Sequence, residues 1–299
     1  MFDLIKSNTR RSWILIAGFV IVVAAFGYLF GMLFGGGFIG LIIAIGIALV
    51  MSWSAYAGGD KVVLAVSRAK LVTPIDEPRL HNLIEGLAIA AGIPKPKVYV
   101  VEDPSPNAFA TGRDPAHASI AVTRGLLEKM NRMELEGVVA HELAHVANRD
   151  TRVLMITATL VGVVVLIADW TLRSFFWGFG GGRRGARDRD GAAIFVLVGL
   201  VAAVLMPLFA TLMQAAVSRR REALADLTGV KYTRYPPGLI AALEKLKSDE
   251  TIVQSASRAT ASLWIESPLQ REKGLFGKLN HLFDTHPPLD ERIRILQEL

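Results

Sequence analysis

The segment His141-Glu142-Leu143-Ala144-His145 sets two imidazoles four residues apart with a carboxylate between them. On a helix, positions i and i+4 lie on one face a turn apart, so both rings can reach a single tetrahedral ion. Glu142 then projects beside that ion, placed to take a proton from an attacking water. The chain contains no Cys, which excludes disulfides and thiolate ligands and leaves any zinc with nitrogen and oxygen donors. A catalytic zinc needs a third protein ligand and one open position. Glu222, in Glu222-Ala223-Leu224-Ala225-Asp226, supplies a carboxylate. Asp226, one helical turn on, is placed to hydrogen-bond a ligand imidazole and fix its tautomer. These residues predict one zinc ion per chain on His141, His145 and Glu222, with Glu142 as general base. An isolated pair such as Glu222 and Asp226 is more often a solvated helix face; its position relative to the apolar runs singles it out.

His145 and Glu222 are remote in the chain, so the elements between them must bring them together. Two uncharged runs come first, Trp13 to Phe34 and Phe38 to Ala57. As helices they are about 33 Å and 30 Å long, enough to cross a hydrocarbon core. Only Gly35 to Gly37 lies between them, which predicts a tight helical hairpin. A cleaved signal peptide fits less well, because the apolar run is too long, no small-residue cleavage pattern follows it, and a second span comes at once. Lys6, Arg10 and Arg11 precede the pair and Lys61, Arg68 and Lys70 follow it, placing both flanks in the cytoplasm. A second apolar pair runs from Val153 to Ala168 and from Gly191 to Ser218, the latter interrupted by Pro207. The loop between its members holds Arg173, Arg183, Arg184, Arg187 and Arg189, against the charge rule that the first pair obeys. Sequence alone leaves open whether this second pair spans the bilayer or lies partly within the protein. As a hairpin it would deliver the His145 and Glu222 helices to one membrane face.

The remainder is polar enough to be soluble. Helical spacing covers Thr73 to Ala91 and Glu134 to Asn148, the latter carrying both histidines. Lys97 to Val101 and Ser119 to Thr123 are rich in β-formers, with Asn107 to Thr111 between them, which predicts a small antiparallel sheet. Tyr235-Pro236-Pro237-Gly238 reads as a turn before a helix from Leu239 to Lys247, and an amphipathic helix runs from Leu289 to the C-terminus. The fold class is therefore an α+β membrane protein. A mainly helical, zincin-type protease domain with a small antiparallel sheet accompanies two transmembrane helical hairpins. The divisions fall at 1–60, 61–152, 153–217 and 218–299, the protease domain comprising the second and fourth.

Several motifs in this order resemble the HtpX-type membrane proteases, relatives of the CAAX prenyl proteases. They are His145 to Asp150 (HVANRD), Ser218 to Glu222 (SRRRE) with Asp226, Pro106 to Arg113 (PNAFATGR) and Asp284 to Leu289 (DTHPPL). The resemblance covers nearly the whole chain. It implies a multi-pass bacterial inner-membrane endopeptidase, facing the cytoplasm, that degrades damaged or misfolded membrane proteins and can cleave itself. It also implies roles for further residues. Asn107, Ala108, Phe109 and Ala110 look like the family's edge strand, which would hold an extended substrate by β-augmentation. His286 matches a histidine that would hydrogen-bond the oxyanion of the tetrahedral intermediate. Arg219 and Arg221 flank the third ligand, as anchors of an acidic site or of the membrane edge. Ala223 departs from the family, where the position after the ligand Glu is often aromatic. His81, His117 and His281 are assigned to surface or core.

Composition narrows the alternatives. Hydrophobic residues make up 52% of the chain, and the mean hydropathy of +0.40 is high for a soluble protein. The net charge of +6 sits beside apolar segments rather than in one stripe, so nucleic acid is not an expected partner. A transporter is disfavoured because none of the four apolar runs contains an ionisable residue. A scaffold or holdase with a non-catalytic zinc site would fit better had Glu142 been replaced. Gly274 to Lys278 lacks the spacing and hydroxyl of a nucleotide-binding loop, so hydrolysis would be independent of ATP. The expected partners are polypeptides, membrane proteins among them, and the bilayer.

Overall fold

A computed structural model of the chain describes residues 2–33, 36–162, 219–251, 253, 260, 263–265 and 287–299. Helix α1 (Phe2–Leu33) and helix α2 (Gly37–Val66) pack along one another. A Cβ on Gly27 or Gly40 would collide with the other helix, so the small residues let the two backbones touch. Both helices are long and apolar enough to cross a membrane, with mean hydropathies of 1.3 over Lys6–Ala25 and 2.3 over Gly37–Val66. Their outward sides expose Ile21, Phe38, Ile39, Ile43, Val50 and Trp53, a surface suited to lipid rather than water. The helices outrun the apolar segments and carry Lys6, Arg10, Arg11, Asp60 and Lys61 in regular helix.

Beyond α2 come strand β1 (Lys70–Leu71), helix α3 (Pro78–Ala91), strand β2 (Lys97–Val101), strand β3 (Ala108–Thr111), strand β4 (Ser119–Thr123) and helix α4 (Arg124–Lys129). The sheet order is β1-β2-β4-β3. It is mixed, which corrects the expected antiparallel sheet: β2 and β4 run parallel, while β3 pairs antiparallel on the far side of β4. A parallel pair needs a crossover between its strands. The chain between β2 and β4 supplies it and lays down β3 on the way. Alternation along the strands divides two cores. Val98, Val100, Ile120 and Val122 face Leu80, Ile84 and Leu87 of α3, whereas Val101, Phe109 and Ala121 face Val63 and Leu64 of α2 together with Trp264.

Helix α5 (Arg132–Ala147) crosses the first of these cores. Asn131 and Glu134 form a capping box at its start, with bonds of 3.0 and 2.8 Å, so it begins slightly earlier than the apolar spacing suggests. Helix α3 begins later than Thr73 because Thr73 and Asp76 close a side-chain turn and Pro78 fills the first helical turn. After α5, Arg149 adopts φ 58°, and helix α6 starts at residue 150 and is described to 162. Its Val153, Met155, Ile156, Leu160 and Val161 pack on Leu15, Phe19, Ala48 and Ala55, so the start of the third apolar run lies against the α1–α2 pair. Helix α7 (Arg219–Thr233), helix α8 (Pro236–Ser248) and helix α9 (Leu289–Gln297) complete the described chain. Pro236 and Pro237 are not a free turn; they open α8, where proline's fixed φ is compatible with helix and its missing N–H costs nothing. The fourth apolar run, the Arg-rich stretch before it, His281 and His286 lie outside the described residues.

Candidate metal centre

Glu222, Asp226 and Gly229 recur at i, i+4 and i+7 along α7 and so share one face, which packs on α5. At Gly229 the helices nearly touch, since a Cβ there would sit 3.0 Å from His141 N and 3.1 Å from His141 Cα. This close crossing brings the two carboxylates over the histidines of α5. His141, Glu142, His145, Glu222 and Asp226 are each no more than 5% exposed.

His141 Nε2 and His145 Nε2 are 3.2 Å apart. Glu222 Oε2 lies 3.6 Å from His141 Nε2 and Oε1 lies 3.5 Å from His145 Nε2. Zinc ligands at 2.0–2.1 Å in tetrahedral array stand about 3.3 Å from one another. The three donors therefore have the mutual spacing of ligands around one ion, and they are the group among the described residues suited to holding a metal. The fit is chemical as well as geometric, because two imidazoles and a carboxylate are a donor set of catalytic zinc sites.

The ring nitrogens that point away from this cluster are each held by an aspartate. Asp226 Oδ1 is 2.8 Å from His141 Nδ1, and Asp150 Oδ2 is 3.1 Å from His145 Nδ1. Asp226 is held in turn by Arg292, which enters from α9 and is 1% exposed. Its Nε donates to Oδ2 at 2.9 Å and its Nη2 to Oδ1 at 2.6 Å, a two-pronged ion pair. The same Nη2 lies 3.3 and 3.4 Å from the two ring nitrogens of His141, and Nη1 lies 3.8 Å from Glu222 Oε2. Burial would push the Asp226 carboxyl up, but Arg292 and His141 outweigh it and bring it to about 2. Burial likewise opposes a charged His145, yet Glu222, Asp150 and Glu142 raise it to about 9 in the metal-free protein. Burial lowers the pKa of Arg221, with Asp150 and Glu222 opposing that shift.

Arg292 and Asp150 belong to this cluster, and Asn8 joins it through Asp150, to whose Oδ1 its amide donates at 2.6 Å; type and spacing single out none of the three. Asp150 stands in the HVANRD run, but nothing in its spacing to His145 predicts contact across a break between helices. Arg292 carried a detectable signal: it lies four residues before Leu296, next to Ile293, on the buried side of α9. A charge at a core position of an amphipathic helix demands a buried partner. Asn8 precedes the first apolar run as an ordinary polar residue and gives no signal.

Strand β3 is one of the two edge strands of the sheet and packs against α5, beside the metal centre. All four of its residues are buried. Asn107 O accepts from Thr123 N at 2.9 Å, so residues 107 and 109 address β4 while 108 and 110 address the outer side. Ile265 N donates to Ala108 O at 3.0 Å there, and Trp264 meets Phe109 edge-on with ring centroids 4.7 Å apart. His81 is buried with Nε2 3.1 Å from Val72 O, and His117 is exposed beside Asp114.

A buried two-histidine, one-glutamate cluster with a further glutamate beside it, carried on a scaffold led by two membrane-length helices, defines the class: a membrane metallopeptidase. The matching family and the protease relatives agree. Residues 74–299 match peptidase family M48. The chain is 42% identical over 299 residues to a protease HtpX homolog of Thermoanaerobacter pseudethanolicus, covering all of this chain and 98% of that one. It is 44% identical over 301 residues to a protease HtpX homolog of Tropheryma whipplei (strain Twist), again covering all of this chain and 98% of the relative. With a protease HtpX homolog of Listeria monocytogenes it shares 42% over 307 residues, the whole of both chains. The crystal structure of S. mikatae Ste24p aligns with a TM-score of 0.48 and 18% identity, over 99% of this chain and 67% of that one. The chain belongs to peptidase family M48.

Proposed function

We propose that this metallopeptidase is a zinc endopeptidase that hydrolyses peptide bonds of misfolded or damaged membrane proteins without ATP. It would do so from the cytoplasmic side of a bacterial inner membrane. The observation that carries the zinc assignment is the 3.2, 3.5 and 3.6 Å spacing among His141 Nε2, His145 Nε2 and the Glu222 oxygens. His141, His145 and Glu222 would hold the ion. When bound, zinc supplies a Lewis acid that makes water more acidic and polarises the scissile carbonyl.

The chain's own residues do the rest. With Asp226 and Asp150 accepting at the two Nδ1 atoms, each imidazole keeps its proton on Nδ1 and turns an Nε2 lone pair toward the centre. Glu142, next to His141 and 3% exposed, takes a proton from the attacking water. As the carbon–nitrogen bond breaks, it delivers that proton to the leaving amine. An extended substrate would pair with the outer side of β3 near Ala110, alongside Asn107, Ala108 and Phe109. His286, on the family resemblance, would donate to the developing oxyanion. The holdase alternative is disfavoured by the presence of Glu142, which a purely metal-holding site does not need. Substitution Glu142→Gln tests the reading: stoichiometric zinc with peptide cleavage lost is expected. Near-parental cleavage by that variant would refute the assigned base.

A further inference from the structure

The side chain of Asn8, near the start of the first membrane-length helix, reaches the metal centre. It is 3% exposed although it belongs to the charged turn that precedes the apolar run. Its amide nitrogen donates to Asn148 O at 3.0 Å and to Asp150 Oδ1 at 2.6 Å. Asn148 is the C-cap residue of α5, and its carbonyl is among those that an ending helix leaves without an intrahelical donor. Asp150 opens α6 and turns its other oxygen to His145 Nδ1 at 3.1 Å. The two hydrogens of one amide thus tie together the end of the ligand-bearing helix and the carboxylate that orients a ligand. Other groups bear on Asp150 as well. Arg221 of α7 interacts with it electrostatically, so groups from α1, α5 and α7 bear on the carboxylate.

We infer that Asn8 is a positioning residue for the metal: by holding Asp150 against His145, it makes the first membrane-length helix a structural part of the zinc site. The inference rests on the reading that His141, His145 and Glu222 bind zinc. Its physical content is a two-bond relay, Asn8 to Asp150 to His145, in which the amide restrains the carboxylate and the carboxylate restrains the ring. Partners behind metal ligands are commonly worth about 10–100-fold in metal affinity. A group one bond further out falls at or below the lower end. Displacing α1 would loosen the metal centre through this contact.

The test uses the full-length protein in detergent, in a Glu142→Gln background so that it cannot cut itself. Zinc affinity is measured by competition with a chromophoric chelator, and melting of the metal-free protein is followed in parallel. Asn8→Ala should weaken zinc by about tenfold, Asn8→Ser by less, and Asp150→Asn by roughly 10–100-fold. The double variant Asn8→Ala/Asp150→Asn should bind no more weakly than Asp150→Asn alone, because both changes break one relay. Were Asn8 merely a packing residue, its variants would melt earlier yet bind zinc as tightly as the parent. An affinity loss in Asn8→Ala that added in full to that of Asp150→Asn would show instead that Asn8 acts outside the relay. Either result overturns the inference. Glu222→Gln, run alongside, separates the two levels: if it too leaves affinity unchanged, the zinc-site reading fails; if it alone loses zinc, only the role of Asn8 fails.

Discussion

Replacing Arg292 by methionine removes a guanidinium while keeping much of its length and volume. The structure makes this severe, because Asp226 would be left as a buried carboxylate facing a hydrocarbon stem where two hydrogen bonds of 2.9 and 2.6 Å now end. Both side chains are at most 2% exposed, so solvent cannot take over the bonds. Breaking a buried pair by removing one partner costs about 3–5 kcal/mol. In a folded region of this size each kcal/mol shifts the melting temperature by about 2–4 °C, so the loss should be on the order of 10 °C. The assay is thermal melting of metal-free protein in detergent at one scan rate, which keeps metal binding out of the comparison. Asp226→Asn together with Arg292→Met should recover part of the loss, since it removes the stranded charge. The pH signature has a definite sign. The Asp226 carboxyl is depressed to about 2, so its contribution is present above the unfolded value of 3.8 and disappears as pH falls through 2. In Arg292→Met that acid-side loss should begin at higher pH. A shift below about 2 °C in the single variant, or a double variant as impaired as the sum of the singles, would refute the reasoning.

Gly229→Ala places a Cβ 3.0 Å from His141 N and must push α7 off α5, so it should cost about 1–3 kcal/mol and weaken zinc binding. Parental melting and affinity would show that the helix crossing tolerates a methyl group. Zinc retention should fall in the order parent, Asp226→Asn, Glu222→Gln, because the last loses a ligand charge and the second only an orienting bond; unchanged affinity in Glu222→Gln would place the third ligand elsewhere. His145 sits near 9 in the metal-free protein and must lose its proton to bind zinc, so apparent affinity should rise by about tenfold per pH unit from 6.5 toward 9 and then level. The matching stability contribution of that proton is full below 6.5 and lost as pH rises through about 9; a flat affinity profile would contradict the raised value. Single Cys probes at Pro115 and Leu299, clean because the chain has none of its own, should resist an impermeant reagent added to intact cells. Labelling from outside would reverse the proposed orientation.

What the sequence made legible depended on whether the determining forces are local. The i, i+4 pairing of His141 and His145, the length of the two apolar runs and the amphipathic spacing of α3 and α8 are written in neighbouring residues. Strand pairing is not. Lys97 to Val101 and Ser119 to Thr123 look alike whether they run parallel or antiparallel, and only the crossover that lays β3 beside β4 decides between them. The prolines at 236 and 237 misled for a related reason, since the same residues serve a turn and a first helical turn equally well. At the metal centre the two histidines and the carboxylates of α7 were visible as types at useful spacing. Arg292, Asp150 and Asn8 were not, because each acts across a helix break or a helix interface rather than along a single element.

The central claim is that His141, His145 and Glu222 hold one zinc ion, and X-ray absorption at the zinc edge of the full-length protein tests it most directly. A first shell of nitrogen and oxygen at about 2.0–2.1 Å, with outer-shell scattering from two imidazoles and one metal per chain, is the predicted result. A shell fitted by one imidazole or by three, or protein that takes up no stoichiometric zinc, would contradict the assignment.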